Sequence, residues 1–150
     1  IYHYCNIEDS VKVERIQKRA LRYVFNDYDS PYSELLRNSK RVSLYVCRMR
    51  SILECVFKIC HELLPLLKAS FFMENNHGYS LRRSKTIRKH QVRTTYFGLN
   101  SLKYNGSNLW DELPEAIRNT EHLGSFTKAM SDWNYICQCN SCKACKLLNI

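Results

Sequence analysis

An apolar stripe at helical spacing in the first half of the chain constrains the fold most. Its seven residues recur every three or four positions: Val46, Met49, Leu53, Val56, Phe57, Cys60 and Leu64. Residues at this spacing share one face of an α-helix, so the stripe predicts a helix that is buried along one side. We expect this helix to run from Leu44 to Leu64 with Ser43 as N-cap, and to be the longest helix and the centre of the core.

Four further helices are predicted around this one. Asp9 or Ser10 should cap a first helix that ends at Phe25. Its expected buried face consists of Val13, Ile16, Ala20 and Val24. Ser30, as cap, and Pro31 predict a short helix to Asn38 that docks through Leu35 and Leu36. Two more are expected near residues 115–118 and 123–133, with Phe126, Met130 and Trp133 on one side of the last.

The fold class we predict is mainly α, because the chain has only 4 Gly and 3 Pro. We expect a small helical domain over residues 1–135, with a short extended or β-hairpin element at residues 92–97 and 101–104. A Cys-rich C-terminal tail over residues 136–150 should follow it.

The charge of the chain favours an anionic partner. There are 23 Lys and Arg against 14 Asp and Glu, a net charge of +9, and nucleic acid is the commonest polyanion that a basic protein meets. One cluster lies on the first helix and consists of Lys12, Arg15, Arg19 and Arg22. A second lies in the acid-free stretch between Glu74 and Asp111 and includes Arg82, Arg83, Arg88, Lys89 and Arg93.

Two interpretations of each basic cluster stay open. The first-helix cluster either tracks a phosphate backbone or is simply a solvated helix face. In the second stretch, Tyr79, Tyr96, Phe97 and Tyr104 either stack on unpaired bases or are buried in a loop that wraps the helical core. We recognise no base-reading motif, so any contact with RNA or DNA should tolerate different sequences.

Four of the 8 cysteines crowd into the tail, at Cys137, Cys139, Cys142 and Cys145. Thiolates are good zinc ligands, but structural zinc sites usually draw on two well-separated pairs. The tail is therefore either a reduced, partly disordered segment without a cofactor or a tight zinc knuckle. A disulfide cluster would require export.

Several functional classes lack their sequence signatures here. No apolar run approaches the ~20 residues of a membrane span, and the Gly-rich phosphate loop, the His-Glu-x-x-His motif and nucleophile signatures are also missing. We therefore expect no membrane partner and an intracellular protein, in the nucleus or the cytoplasm. The chain begins with Ile1, which we interpret as the start of a fragment, a processed product or an incomplete gene prediction.

Several segments, in order, resemble one family over nearly the whole chain. Residues 13–22 (VERIQKRALR) resemble the "kLEkIQKRALR" stretch downstream of the polymerase in non-LTR (LINE-type, jockey-like) retrotransposon reverse transcriptases. An "sL…R-R…vfK" helix is similar to residues 43–58, and "yslRs" to residues 79–83. A "YG-xx-Sl-rY-xG-xx-lW-xx-LP" pattern is similar to residues 97–114, and an "sl-xx-Fk…W…C-x-C-xx-C" ending to residues 123–142.

The resemblance implies a C-terminal segment that follows the thumb of an RNA-directed DNA polymerase with an endonuclease. The family's polymerase holds two metal ions with paired aspartates, and no Asp-Asp pair occurs in this chain. We therefore expect no catalytic activity of its own, and expect contacts with RNA or DNA and with the upstream polymerase domain. The alternatives are a structural or protein-interaction module with a zinc-binding tail, which metal analysis would test, and a non-functional transposon relic.

Overall fold

Six helices make up most of the part of the chain that the computed structural model describes, which is residues 7–64, 87, 91–94, 98, 101–133 and 147. They are α1 (Ile7–Phe25), α2 (Tyr32–Asn38), α3 (Leu44–Cys60), α4 (Leu102–Glu112), α5 (Glu115–Arg118) and α6 (Leu123–Asp132). Within these residues no strand forms, and the predicted mainly α fold class is confirmed.

The chain divides into two compact units. The first comprises Ile1–Arg50 with Tyr135–Ile150, and the second comprises Ser51–Asn134. Helices α1 and α2 belong to the first unit, and α4, α5 and α6 to the second. The first two turns of α3 fall in the first unit and its remaining turns in the second.

The first unit is built on contacts between α1 and α2. Leu35 and Leu36 of α2 are buried, as predicted, together with Tyr32 and with Met49 of α3. Burying a large apolar side chain contributes about 1.5–3 kcal/mol, so this apolar packing fixes α2. The residues of α1 that are fully buried, however, are polar.

Glu14 is the polar centre of the first unit, with a fully buried side chain. Its carboxylate accepts hydrogen bonds from the Tyr32 hydroxyl (2.6 Å) and from the backbone N–H groups of Tyr45 (2.6 Å) and Leu44 (3.2 Å). The Arg48 guanidinium lies 3.7 Å away and supplies the countercharge. Such a set of donors is what a buried carboxylate requires. Glu14 of α1 therefore caps α3.

Two more side chains complete this cap. The Gln17 amide oxygen accepts from Leu44 N–H (3.2 Å), while its amide nitrogen donates to the Val42 carbonyl (3.3 Å). Ser43 Oγ accepts from Val46 N–H at 3.3 Å, which confirms Ser43 as the predicted N-cap. The first three N–H groups of α3 thus all have side-chain acceptors, and a helix cannot satisfy these groups internally.

Tyr32 joins α2 to the same cluster. Its hydroxyl oxygen lies 2.6 Å from Glu14 and 2.7 Å from the Gln17 amide oxygen, and its single proton can be donated to only one of them at a time. Burial raises the pKa of Tyr32 well above its usual range, and the hydrogen bond to Glu14 and its negative charge raise it further. The hydroxyl therefore stays protonated and acts as a donor.

The core of the second unit is aromatic. Phe57 of α3 stacks on Phe126 of α6 with ring centroids 4.4 Å apart, and Trp110 of α4 lies 6.4 Å and 6.0 Å from these two rings. The other buried apolar residues of this unit are Leu53, Val56, Ile59, Ile87, Leu113 and Met130. Phe126 and Met130 are buried as predicted, whereas Trp133 follows the end of α6 at Asp132 and is half-buried.

The end of α3 was predicted four residues too late. The helix ends at Cys60, and Glu62 adopts a left-handed backbone conformation with φ of 57°. Leu64 N–H then donates to the Lys58 carbonyl at 3.2 Å, which closes the last turn. Ile59, which the predicted stripe omitted, is buried, whereas Leu64, which the stripe included, is 37% exposed. With 17 residues α3 is also shorter than α1, which has 19.

Residues 101–104 form the start of α4, and the prediction of an extended piece there was wrong. Ser101 Oγ accepts from Tyr104 N–H at 3.3 Å and donates to the Gly98 carbonyl at 2.7 Å, so it caps the helix. A Cβ at Gly98 would lie only 2.6 Å from the Thr94 carbonyl oxygen, which excludes any larger residue. Residues 92–94 adopt no regular structure, and 95–97 lie outside the described residues.

Two predicted caps were also wrong. Helix α1 begins at Ile7, so Asp9 and Ser10 lie inside its first turn. Helix α2 begins at Tyr32 after Pro31, and no side chain caps it. The Ser30 N–H instead donates to the Asp27 carboxylate at 3.1 Å. Hydrogen bonds from Ser30, above all, hold the pKa of Asp27 below its ordinary value. This turn competes with the expected Ser30 cap.

Replacing Glu14 should be among the most destabilising single changes in this chain. Glu14→Ala leaves the Tyr45 N–H and the buried Arg48 guanidinium without an acceptor, and leaves the Leu44 N–H and the Tyr32 hydroxyl to share the Gln17 amide oxygen. We therefore expect the free energy of unfolding to fall by about 3–5 kcal/mol. Urea unfolding followed by circular dichroism measures this loss. Glu34→Ala is the control, because Glu34 forms an exposed pair with Arg37 and its removal should cost less than about 1 kcal/mol. Equal losses for the two variants would contradict the capping role.

Candidate nucleic-acid interface

A row of four cations runs along α1, and we call it the basic flank. It consists of Lys12, Arg15, Arg19 and Arg22, at spacings of three, four and three. Lys12, Arg15 and Arg19 are exposed and Arg22 is half-buried. Because an α-helix has 3.6 residues per turn, these four residues follow one side of it. The structure thus brings the first predicted cluster together as a continuous positive surface.

Few acidic side chains neutralise the positive charge of the basic flank. Lys12 pairs with Asp9 at 3.1 Å in an exposed contact, whereas Arg15 and Arg19 form no ion pair within the described residues. Glu14 is the single acid in residues 12–22, and it is buried. Burial lowers the pKa of Lys18 from its ordinary value, and the charges of Arg22 and Arg15 lower it further. The flank therefore carries an accumulated positive potential, which favours an anionic ligand.

The second predicted basic cluster is largely outside the described residues. Arg82, Arg83, Arg88 and Lys89 lie there and stay predictions. Arg93 belongs to the second unit and is exposed. Of the interleaved aromatic residues, Tyr104 is described and is half-buried in α4, which favours packing over base stacking at that position.

The predicted buried face of α1 was wrong. Ile16 is 68% exposed and Val24 74% exposed, Ala20 is exposed, and Val13 is half-buried. The fully buried residues of α1 are Ser10 and Glu14, which lie on a different side of the helix. The physical reason is the cap described above: Glu14 and Gln17 must point inward to reach the N-terminus of α3, and this turns the apolar residues outward.

Sequence reasoning gave no role to Glu14, Gln17 or Tyr32, although they are the residues that orient the basic flank. One signal was available. Glu14 and Gln17 lie three residues apart on one side of the helix, and they share that side with Leu21. A carboxylate and an amide on the same helix side as a leucine indicate an inward polar contact. Their hydrogen-bond partners, which lie 15 to 31 positions further along, could not be identified from this pattern.

The predicted metal site cannot be placed, because Cys137, Cys139, Cys142 and Cys145 lie outside the described residues. Within the described ranges, no group of three or more His, Cys, Asp or Glu side chains is arranged to hold a metal ion. Within the described residues, Cys47, Cys55 and Cys60 of α3 form no disulfide bond.

Two surface substitutions test the orientation of α1 that we describe. Ile16→Ser and Val24→Ser should each change the free energy of unfolding by less than about 0.5 kcal/mol, because both side chains are already exposed. Leu53→Ala, in the buried stripe of α3, should cost about 2–5 kcal/mol. Thermal and urea unfolding measure the three values. A loss at Ile16 comparable to that at Leu53 would show that the apolar side of α1 is buried after all.

Searches for relatives do not assign the chain to a family. In the residues that the structure describes, no helix has the length and apolar character needed to cross a membrane. Comparison with protein-family models, with curated proteins and with solved structures gives no significant match for this chain.

Proposed function

We propose that this chain is a non-catalytic C-terminal segment of a retrotransposon RNA-directed DNA polymerase, and that its basic flank contacts RNA or DNA. The observation that carries the nucleic-acid contact is the row of cations on α1, two of which have no ion-pair partner in the described part of the chain. The identity of the parent protein rests on the resemblance in sequence alone. The upstream polymerase domain would be the second partner, inside the cell.

The dimensions of the basic flank suit a phosphate backbone. With a rise of about 1.5 Å per residue, the helix advances about 15 Å from Lys12 to Arg22. Phosphates along one strand of duplex DNA are spaced by about 3.4 Å along the axis, so roughly four of them fit this length. Each Lys or Arg that neutralises a phosphate releases a condensed counterion, and this release drives binding.

The proposed contact is independent of base sequence. Arg and Lys side chains that touch phosphates set position and add affinity, while sequence is read through base edges. The described residues offer no recognisable base-reading motif beside the flank. No catalytic step is proposed for this chain, since its sequence has no Asp-Asp pair of the kind that the resembled polymerases use.

Nucleic-acid binding should be measurable and strongly dependent on salt. We expect roughly micromolar affinity for single-stranded RNA at low salt, decreasing steeply as salt is added. The double variant Arg15→Gln, Arg19→Gln should lower the slope of log affinity against log salt by roughly 1.4 to 1.8, because two phosphate contacts are lost. Fluorescence anisotropy with a labelled oligonucleotide over a salt series gives both quantities.

A matched control distinguishes the effect of the basic flank on binding from the effect of overall net charge. Arg37→Gln, Arg41→Gln removes the same charge from exposed positions on and after α2, and it should leave the slope nearly unchanged. If the two double variants weaken binding equally, overall charge and not the flank is responsible. Binding that stays undetectable at low salt would refute the proposed function itself.

A further inference from the structure

The outward side of α1 carries an apolar surface that phosphate contacts leave unexplained. We call it the outer stripe and define it as Val13, Ile16, Ala20, Tyr23 and Val24. Ile16, Tyr23 and Val24 are 68%, 81% and 74% exposed. Single exposed apolar residues are common on protein surfaces, but a contiguous row of them marks an interaction site. Phosphate groups do not bury aliphatic side chains, so the basic flank accounts for the cations and not for this stripe.

The spacing of the outer stripe is that of a helix–helix seam. Val13, Ile16, Ala20 and Tyr23 are separated by three, four and three residues, which is the pattern of the core positions in coiled coils. Ala20, in the middle of the row, is small and permits close approach of a second helix. Ile16 and Tyr23 on either side provide large apolar surfaces for its side chains.

The charges beside the outer stripe indicate what kind of helix would bind there. Lys12 and Arg19 directly precede Val13 and Ala20 and therefore occupy the positions that flank such a seam. In contrast, the acid closest to the middle of the stripe, Glu14, is buried on the opposite side. Opposite charges across an interface speed association and set specificity, whereas like charges across it cost several kcal/mol.

We propose that the outer stripe is a docking site for an amphipathic helix of a partner protein, with acidic residues beside its apolar seam. A second copy of this chain is a poorer occupant, because pairing two α1 helices would bring two rows of cations together. The docking site shares Lys12 and Arg19 with the basic flank, but neither proposal requires the other.

A pair of designed peptides tests the docking site on the full chain. The first is a helical peptide with Leu at the core positions of each heptad and Glu at the flanking positions; the second has Lys in place of each Glu. We expect the Glu peptide to bind with roughly micromolar affinity and the Lys peptide to bind at least about tenfold more weakly. Isothermal titration calorimetry measures both affinities.

Variants of the protein locate the binding. Ile16→Ser with Tyr23→Ser should reduce the affinity for the Glu peptide by at least about tenfold. Arg19→Gln should reduce it severalfold while leaving the affinity for the Lys peptide unchanged or higher. Both substitutions fall on exposed side chains, and circular dichroism verifies that the helices persist. Failure of the Glu peptide to bind, equal affinity for the two peptides, or no effect of the stripe variant would overturn the proposal.

Two other occupants would be revealed by separate measurements. If sedimentation equilibrium shows a dimer that the stripe variant abolishes, the surface joins two copies of this chain and the proposal is wrong. If the protein binds vesicles of phosphatidylserine and phosphatidylcholine, and the stripe variant does not, the surface lies on an anionic membrane and the proposal is equally wrong.

Discussion

The N-terminus of α3 presents backbone N–H groups that its own carbonyl groups cannot reach, and a carboxylate on another helix satisfies them. Most helices solve this problem locally, with a residue beside their own first turn. Here Ser43 supplies one acceptor, and Glu14 and Gln17 of α1 supply the others. Tyr32 adds a donor from α2. One polar cluster therefore joins α1 and α2 to the first turn of α3.

This cluster also determines which side of α1 meets solvent. A buried carboxylate is costly unless its donors are all in place, so rotating α1 to bury Ile16 would expose α3 amides and leave Arg48 without its countercharge. As a result, one helix carries the cap on its inner side and both the basic flank and the outer stripe on its outer side.

Apolar periodicity correctly predicted most of the residues of α3 that are buried. Met49, Leu53, Val56 and Phe57 are buried as their spacing indicated, and α5 has the expected bounds. The same rule failed for α1, because its apolar residues also recur at helical spacing and nothing in their pattern reveals that a glutamate takes the inner side. Only the long-range partners of Glu14 decide the matter.

Only part of the candidate site could be predicted from the sequence. The positions of Lys12, Arg15, Arg19 and Arg22 follow from helical geometry alone, so their alignment was predictable. Their exposure beside an apolar row was not, since it depends on the orientation of α1. Helix starts set by local hydrogen bonds were also missed: Ser101 was placed in an extended piece, although it anchors α4 through Gly98 and Tyr104.

Hydrogen exchange at the Tyr45 amide tests the central claim most directly. If Glu14 accepts this N–H group inside the first unit, the amide should exchange as slowly as those in the middle of α3, although it belongs to the first turn, where amides usually exchange quickly. NMR detection of residual amide protons in deuterated buffer measures the rate. Slow exchange that becomes fast in Glu14→Ala is the predicted result, and a Tyr45 amide that exchanges at the rate of an unprotected peptide would contradict the account.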